Sequence, residues 1–173
     1  MKIGVPRETA AGERRIALVP ESAKKLVEQG NEVVIEKARS ASVDFPDAAY
    51  VAAGARIAAD AGEVLAGSDL VLKIQPPSEA EIDSLRTGAV LVAILQPFQN
   101  GDTVRRLAEK SVTSFSLDLL PRITRAQAMD VLSSMSTIAG YKGVLIAAAA
   151  LPKMVPLLMT AAGTLKPARF LIL

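Results

Sequence analysis

Four side chains able to hydrogen-bond a ligand lie close together between residues 122 and 133. Arg122 is in a predicted loop, and Gln127, Asp130 and Ser133 follow at intervals of three residues. On a helix, these intervals place an amide, a carboxylate and a hydroxyl within an arc of about 120° on one face. With a guanidinium in the loop before them, these groups are suited to holding a polar ligand.

Each of these side chains also has a purely structural interpretation. Thr124 and Gln127 match a capping box, with Thr as the N-cap and Gln as the third helical residue. Asp130 near a helix start is favoured by the helix dipole. Ser133 can simply face water, and Arg122 can pair with any carboxylate. Spacing alone therefore leaves both interpretations open.

The composition excludes several kinds of chemistry and partner. The 173 residues include no Cys and no His, which excludes disulfides, thiolate catalysis, Cys-based metal sites and an imidazole general base. The 20 basic and 18 acidic residues give a net charge of +2, with no basic stripe interleaved with aromatics. We therefore expect no nucleic-acid binding.

The apolar segments do not predict membrane insertion. The first residues form a strand-like run and lack the charged and apolar regions of a secretory signal. The most apolar stretch, residues 144–158, is interrupted by Pro152, Lys153 and Pro156 and is too short to span a bilayer. We expect a cytoplasmic chain without direct membrane insertion.

Strand-like and helix-like segments alternate through the first 116 residues. Helices of about ten residues separate the strands, and Ser78 with Glu81 forms a capping box at the start of one of them. This alternation predicts an α/β domain of flavodoxin- or Rossmann-like type, with a parallel sheet and flanking helices. The predicted strands are residues 3–6, 32–36, 55–58, 69–74, 89–95 and 112–116. The order of the strands in the sheet is not readable.

The pattern changes after residue 124. Residues 125–150 contain no strong helix breaker apart from Gly140 and Gly143, and predict one long linking helix. A second helix is predicted at 152–161, and a buried strand at 169–173. We therefore expect an N-terminal domain (1–124), a linking helix (125–150) and the beginning of a truncated second Rossmann domain (151–173).

The segment Pro121–Ser134 closely resembles the NAD(H)-binding component of proton-translocating nicotinamide nucleotide transhydrogenases, in the alanine dehydrogenase/transhydrogenase family. The resemblance continues through Ile138–Lys142 and covers essentially the whole chain. Its other matching stretches are Lys2–Glu8, Glu13–Arg15, Val19–Pro20 and Leu72–Lys73. The motif over Pro121–Ser134 is specific to the transhydrogenases, whereas the opening motif, Lys2–Glu8, is shared with alanine dehydrogenases.

The resemblance implies that the segment lies over the nicotinamide end of bound NAD(H). The cofactor-binding residues that it implies are Arg122, Arg125, Gln127, Asp130 and Ser133. It further implies that residues 169–173 lead into a phosphate-binding glycine turn of an NAD-binding Rossmann domain. No G-x-G-x-x-G motif occurs in the chain, so the isolated chain is expected to be inactive.

The same resemblance implies an activity and partners. The activity is hydride transfer between NADH and NADP⁺, with NADP(H) held on a partner subunit and the transfer coupled to proton translocation. The expected assembly is a homodimer joined to NADP-binding and membrane-spanning subunits. Through those subunits, the chain would associate peripherally with the inner membrane.

An alanine dehydrogenase is the main alternative. The Arg and Lys that hold substrate in those enzymes match Arg15 and Lys73, but Gln96 stands where they carry their acid/base His. Losing that base costs about 10²–10⁴-fold in rate. Direct hydride exchange between two nicotinamides needs positioning and exclusion of water instead. The missing His favours a transhydrogenase, and a non-catalytic structural or interaction module also stays open.

Overall fold

The computed structural model describes residues 1–37 and 45–172. The chain divides into two compact units, the first comprising residues 1–129 and the second beginning at Asp130. In the described part of the first unit, strands and helices alternate as predicted. The strands are β1 (Lys2–Val5), β2 (Glu32–Glu36), β3 (Arg56–Ala58), β4 (Leu70–Leu72), β5 (Val90–Ala93) and β6 (Thr113–Ser116). The helices are α1 (Pro20–Glu28), α2 (Asp47–Ala52), α3 (Ala61–Gly67), α4 (Glu79–Ser84) and α5 (Gly101–Glu109).

The six strands form one parallel sheet in the order β3-β2-β1-β4-β5-β6. The predicted α/β class with a parallel sheet and flanking helices is confirmed. β1 and β4 are neighbours at the centre of the sheet, and Ile3 lies opposite Leu70. β2 and β3 follow on the side of β1, and β5 and β6 follow on the side of β4. In open α/β sheets, the crevice at the carboxyl ends of such a central pair is where ligands bind.

The core of the first unit consists of aliphatic side chains packed on the sheet. Val33, Val34 and Ile35 are buried along β2. On β5, Leu91 and Ala93 are fully buried, whereas Val90 and Val92 are only half-buried. Of the two faces of β5, which lies in the continuous apolar run of residues 89–95, one is therefore completely buried and the other partly buried.

The capping box at the start of α4 is present as predicted. The Ser78 hydroxyl accepts the Glu81 backbone N–H at 3.3 Å, and the Glu81 carboxylate accepts the Ser78 N–H at 2.7 Å. These reciprocal bonds satisfy two N–H groups that a helix start would otherwise leave without partners. They also fix the Glu81 carboxylate beside the carboxyl end of β4.

The prediction of one helix over residues 125–150 was wrong at its start. A 3₁₀ helix occupies Thr124–Met129, and helix α6 (Val131–Ala150) begins only after Asp130. The Asp130 carboxylate accepts the Ser133 backbone N–H at 3.0 Å. This N-cap bond favours a new helix start at Asp130 because it satisfies an N–H of the first turn.

The predicted second helix at 152–161 was also wrong, because this region ends in an antiparallel hairpin. Strands β7 (Leu158–Thr160) and β8 (Gly163–Leu165) pair across a two-residue turn. Gly163 has a φ of +130°, which glycine adopts without steric cost. The Thr160 hydroxyl donates to the Gly163 carbonyl at 3.1 Å and closes the turn.

The buried strand predicted at residues 169–173 is not found in residues 169–172, which have no strand structure. Leu171 and Ile172 are 84% and 87% exposed. A strand needs a hydrogen-bonded neighbour, and none pairs with this segment in the part of the chain that the structure describes. Leu173 lies outside the described residues.

Helix α6 is the one helix, within the residues described, that is long and apolar enough to cross a membrane. None of its apolar window is buried in the structure. Core helices of large soluble proteins share this apolar character on all sides. The absence of membrane insertion therefore stays a prediction.

Candidate functional site

The carboxyl ends of β1 and β4 bring two loops together. β1 ends at Val5 and β4 at Leu72, and the two strands are parallel neighbours. The loop after β1 carries Glu8, Glu13 and Arg15, while the loop after β4 carries Lys73 and Gln75. Because this is the point at which the strand order reverses, it is the place in the fold best suited to a ligand.

Lys73 is a buried cation held by two carboxylates. Its side chain is 1% exposed, and its Nζ lies 2.7 Å from Glu81 Oε1 and 3.6 Å from Glu8 Oε2. The Glu8 carboxylate also accepts the backbone N–H of Ile74 at 2.5 Å and that of Gln75 at 3.2 Å. A buried charge is tolerated only when it is paired and hydrogen-bonded, and these contacts meet that requirement for Lys73.

A second ion pair lies in the same two loops. The Glu13 carboxylate accepts hydrogen bonds from Arg15 Nε at 2.8 Å and Arg15 Nη2 at 2.6 Å, and from the Gln75 amide at 2.7 Å. The hydrogen bond from Arg15 lowers the pKa of Glu13 to about 2. Glu13 is therefore ionised at neutral pH and holds the Arg15 guanidinium in a fixed orientation.

These contacts form a closed network, which we call the switch-point cluster. Its members are Glu8, Glu13, Arg15, Lys73, Gln75 and Glu81. Sequence reasoning identified Arg15 and Lys73 but missed the three carboxylates that face them. The capping box had already singled out Glu81, and two of the stretches that carry the resemblance, Lys2–Glu8 and Glu13–Arg15, contained Glu8 and Glu13. Nothing in their local pattern indicated that they would meet the two cations.

The segment after β5 presents an amide at the same edge of the sheet. Gln96 is exposed and has a φ of 47°, which is uncommon for a residue with a side chain. Neighbouring contacts hold its backbone: Asn100 Nδ2 donates to the Leu95 carbonyl at 2.9 Å, and the Leu95 N–H donates to Asp118 at 3.1 Å. Gln96 cannot act as a general base at neutral pH, since its amide does not titrate there.

Asp118, which supports this segment, stays ionised. Burial alone would raise the pKa of Asp118. The hydrogen bonds that it accepts from the Ser116 hydroxyl, at 2.6 Å, and from backbone N–H groups outweigh that effect and lower its pKa below the usual range. The carboxylate of Asp118 therefore acts as an acceptor that positions the backbone before Gln96.

The predicted ligand-contacting residues between 122 and 133 do not share one helix face. Arg122, Arg125 and Gln127 are exposed in the first unit, in or just before the 3₁₀ helix, while Asp130 and Ser133 belong to the second. The 3₁₀ helix is anchored in its unit by Ala126, which is 4% exposed. The prediction that Gln127, Asp130 and Ser133 lie on one face of a single continuous helix was therefore wrong.

Asp130 and Ser133 are brought into direct contact. Asp130 Oδ1 accepts the Ser133 backbone N–H at 3.0 Å, and Asp130 Oδ2 accepts the Ser133 hydroxyl at 2.6 Å. Asp130 is half-buried and Ser133 is exposed. The pair presents a carboxylate and a hydroxyl, in a fixed arrangement, at the amino-terminal end of α6.

Residues 4–139 match the model of the family described as "Alanine dehydrogenase/PNT, N-terminal domain". The chain belongs to this family. The match runs from Gly4, within β1, through β6 and the 3₁₀ helix to the first turns of α6. The switch-point cluster and the segment from Arg122 to Ser133 therefore both lie within the alanine dehydrogenase/PNT domain.

Among curated members of the family, the chain is similar to subunits of transhydrogenases. It is 42% identical to an NAD(P) transhydrogenase alpha-subunit protein of Rhodospirillum rubrum, over 99% of this chain and 46% of that protein. It is 40% identical to NAD(P) transhydrogenase subunit alpha of Cereibacter sphaeroides, over 99% of this chain and 33% of that protein. Identity to the alanine dehydrogenase of Halomonas elongata is 32%, over 88% of this chain and 41% of that protein.

Solved structures give the same order of similarity. The transhydrogenase from Sinorhizobium meliloti superposes with a TM-score of 0.90 at 40% identity, covering 97% of this chain and 48% of that one. An L-alanine dehydrogenase superposes with a TM-score of 0.77 at 30% identity, covering 86% of this chain and 40% of that one. The chain thus spans half or less of the length of these relatives, and its resemblance to the transhydrogenase branch is confirmed.

Proposed function

We propose that the chain is the N-terminal portion of the NAD(H)-binding alpha subunit of an NAD(P) transhydrogenase, which transfers hydride from NADH to NADP⁺. The observation that carries this proposal is the amide of Gln96 at the carboxyl edge of the sheet. An alanine dehydrogenase needs a proton acceptor for its substrate amine, and the chain offers no His at all. Hydride exchange between two nicotinamides requires no such group.

The side chains between 122 and 133 have the right donor and acceptor types for a nicotinamide. The carboxamide of that ring has one acceptor oxygen and one donor NH₂ group. The exposed guanidinium of Arg122 is a donor to the oxygen, and the carboxylate of Asp130 is an acceptor for the NH₂. The amide of Gln127 can serve either role, because it carries both an acceptor oxygen and a donor NH₂ group.

In this proposal each residue positions the cofactor. Bound NAD(H) supplies the hydride itself. Arg122, Arg125, Gln127 and the Asp130 carboxylate orient the carboxamide, and the Ser133 hydroxyl contacts the neighbouring ribose. The bond from the Ser133 hydroxyl to Asp130, at 2.6 Å, fixes the carboxylate before the ligand arrives. Such preorganisation lowers the entropy cost of reaching a reactive geometry.

The remaining features of the proposed protein follow from the same identification. The relatives are named as alpha subunits, which supports an assembly with further subunits. We place NADP(H) on one of these partners, proton translocation in membrane-spanning subunits, and the chain itself in a cytoplasmic homodimer held at the inner membrane by its partners. The division at residues 124 and 150, with an NAD-binding Rossmann domain beginning after 150, belongs to this proposal.

The experiment that tests this function compares two hydride-transfer reactions. The full-length subunit, assembled with its partners, is assayed for NADP⁺-dependent oxidation of NADH and for L-alanine-dependent reduction of NAD⁺. We expect the first rate to exceed the second by at least about 100-fold, because the alanine reaction lacks its general base. An alanine-dependent rate equal to the NADP⁺-dependent rate would overturn the proposal in favour of a dehydrogenase, and inactivity in both assays would favour a non-catalytic module.

A further inference from the structure

Two short segments are held together at the base of the β7–β8 hairpin. The Ala168 backbone N–H donates to the Val155 carbonyl at 3.0 Å. Lys153 Nζ donates to the Pro167 carbonyl at 3.1 Å. These two bonds join the segment that enters the hairpin to the segment that leaves it, so side chains 13 to 16 residues apart in sequence become neighbours.

A cavity of about 500 Å³ opens at this junction. Its lining consists of Lys153, Lys166, Pro167 and Arg169. All three cations are exposed to solvent. The sequence contains no Asp or Glu anywhere between residues 131 and 172. The cavity, which we call the hairpin-base cavity, is therefore lined by three positive charges in a stretch of chain without carboxylates.

The turn and the strand pairing of the hairpin do not involve these charges. Its turn is closed by the hydroxyl of Thr160, and its strands pair through the backbone. Lys153 uses one of its three N–H groups on the Pro167 carbonyl, which leaves donor capacity on the amine. Three like charges around one cavity repel one another, and an anion bound between them would relieve that repulsion.

We propose that the hairpin-base cavity binds a phosphate group. Arg169 offers a planar fork of N–H donors that matches two phosphate oxygens, and Lys153 and Lys166 add two mobile point charges. The cavity volume falls in the range of small-molecule sites and exceeds that of a single phosphate. The expected ligands are therefore phosphoanhydrides or phosphate esters, and the proposal does not depend on the transhydrogenase function.

The test measures binding of two phosphate sources to the 173-residue chain in about 0.1 M salt, where distant charges are screened. Pyrophosphate is titrated by isothermal calorimetry. Phosphatidylcholine vesicles with and without phosphatidic acid are tested by co-sedimentation. The variants are Lys166→Gln and Arg169→Gln, and the matched control is Lys142→Gln, which removes a cation of α6 that does not line the cavity.

Each outcome decides the proposal. Pyrophosphate binding that both cavity variants weaken at least tenfold, and the control leaves within twofold, supports a site for a soluble phosphate ligand. Sedimentation with phosphatidic acid that depends on the same two residues, without pyrophosphate binding, supports a site for a lipid headgroup. Binding in neither arm, or binding that Lys142→Gln weakens as much as the cavity variants do, overturns the proposal.

Discussion

Replacing Arg122 by Ala in the full-length subunit is expected to slow single-turnover hydride transfer from NADH at least tenfold. A hydrogen bond from a charged group contributes about 1.5–3 kcal/mol, which corresponds to roughly ten- to a hundredfold in rate. The measurement is rapid-quench analysis with the partner subunits present, in which the NADPH formed is separated from NADH, because each NADH consumed is replaced by an NADPH that absorbs at the same wavelength. The fold should be unaffected, because Arg122 is exposed and its segment is held by backbone bonds such as Ala126 N–H to the Ile123 carbonyl.

A matched substitution separates a local effect from a general loss of charge. Arg105 on α5 is also exposed and pairs with Asp102 at 2.9 Å. It lies outside the segment between residues 122 and 133 that carries the proposed ligand contacts. Arg105→Ala should leave the transfer rate within twofold, since exposed ion pairs contribute little. If Arg122→Ala transferred hydride as fast as the Arg105 variant, the role assigned to Arg122 would be wrong.

Replacing Lys73 by Met is expected to destabilise the chain by about 3–5 kcal/mol, the usual cost of removing one partner of a buried ion pair. The substitution nearly keeps the length of the side chain but leaves the carboxylates of Glu8 and Glu81 without their cation. Urea unfolding followed by circular dichroism measures the change. Lys24→Met is the control, because Lys24 and Glu28 form an exposed pair at 3.9 Å, and it should cost less than about 1 kcal/mol.

A double-mutant cycle tests whether the stability lost with Lys73 comes from its ion pair with Glu81. Glu81→Gln removes the charge that lies 2.7 Å from Lys73 while keeping an oxygen for the Ser78 N–H. The double variant Lys73→Met with Glu81→Gln should lose less stability than the sum of the two single losses, because the second change no longer breaks a pair. Strict additivity, or a cost for Lys73→Met no larger than for Lys24→Met, would contradict the description of this network.

The alternation of strands and helices in the first unit was predictable because its signals are local. The capping box of Ser78 and Glu81 and the apolar run around Leu91 each lie within a few residues of sequence. The strand order was not predictable, since it depends on which buried faces meet after the chain has folded. The pairing of β1 with β4 joins residues more than 60 positions apart, such as Ile3 and Leu70.

The second unit was predicted poorly for a related reason. Residues 125–150 have helix-compatible side chains throughout, yet the cap at Asp130 starts a new helix and leaves a 3₁₀ turn before it. Pro152 and Pro156 are acceptable in a first helical turn, but each also lacks the N–H that an ongoing helix requires. Where propensities are this evenly balanced, a single side-chain hydrogen bond or turn decides the structure.

The residue types of the candidate site were more predictable from the sequence than the contacts among those residues. Arg15 and Lys73 were identified by resemblance, and the structure adds that both are already engaged by Glu13, Glu8 and Glu81. These contacts cross between two loops and cannot be read from spacing along one segment. Gln96, by contrast, was readable from the sequence, and the resemblance to alanine dehydrogenases, which implies a His at this position, makes it carry most of the functional argument.

Isotopic labelling of the hydride tests most directly whether it passes from one nicotinamide to the other. NADH carrying deuterium at the transferable C4 position is mixed with NADP⁺ and the full-length subunit with its partners, with no amino acid or oxo acid present, and the products are analysed by mass spectrometry. We expect deuterium in the NADPH formed, because hydride passes directly from one nicotinamide to the other. Unlabelled NADPH, or turnover only when L-alanine or its oxo acid is added, would contradict the proposed transhydrogenase function.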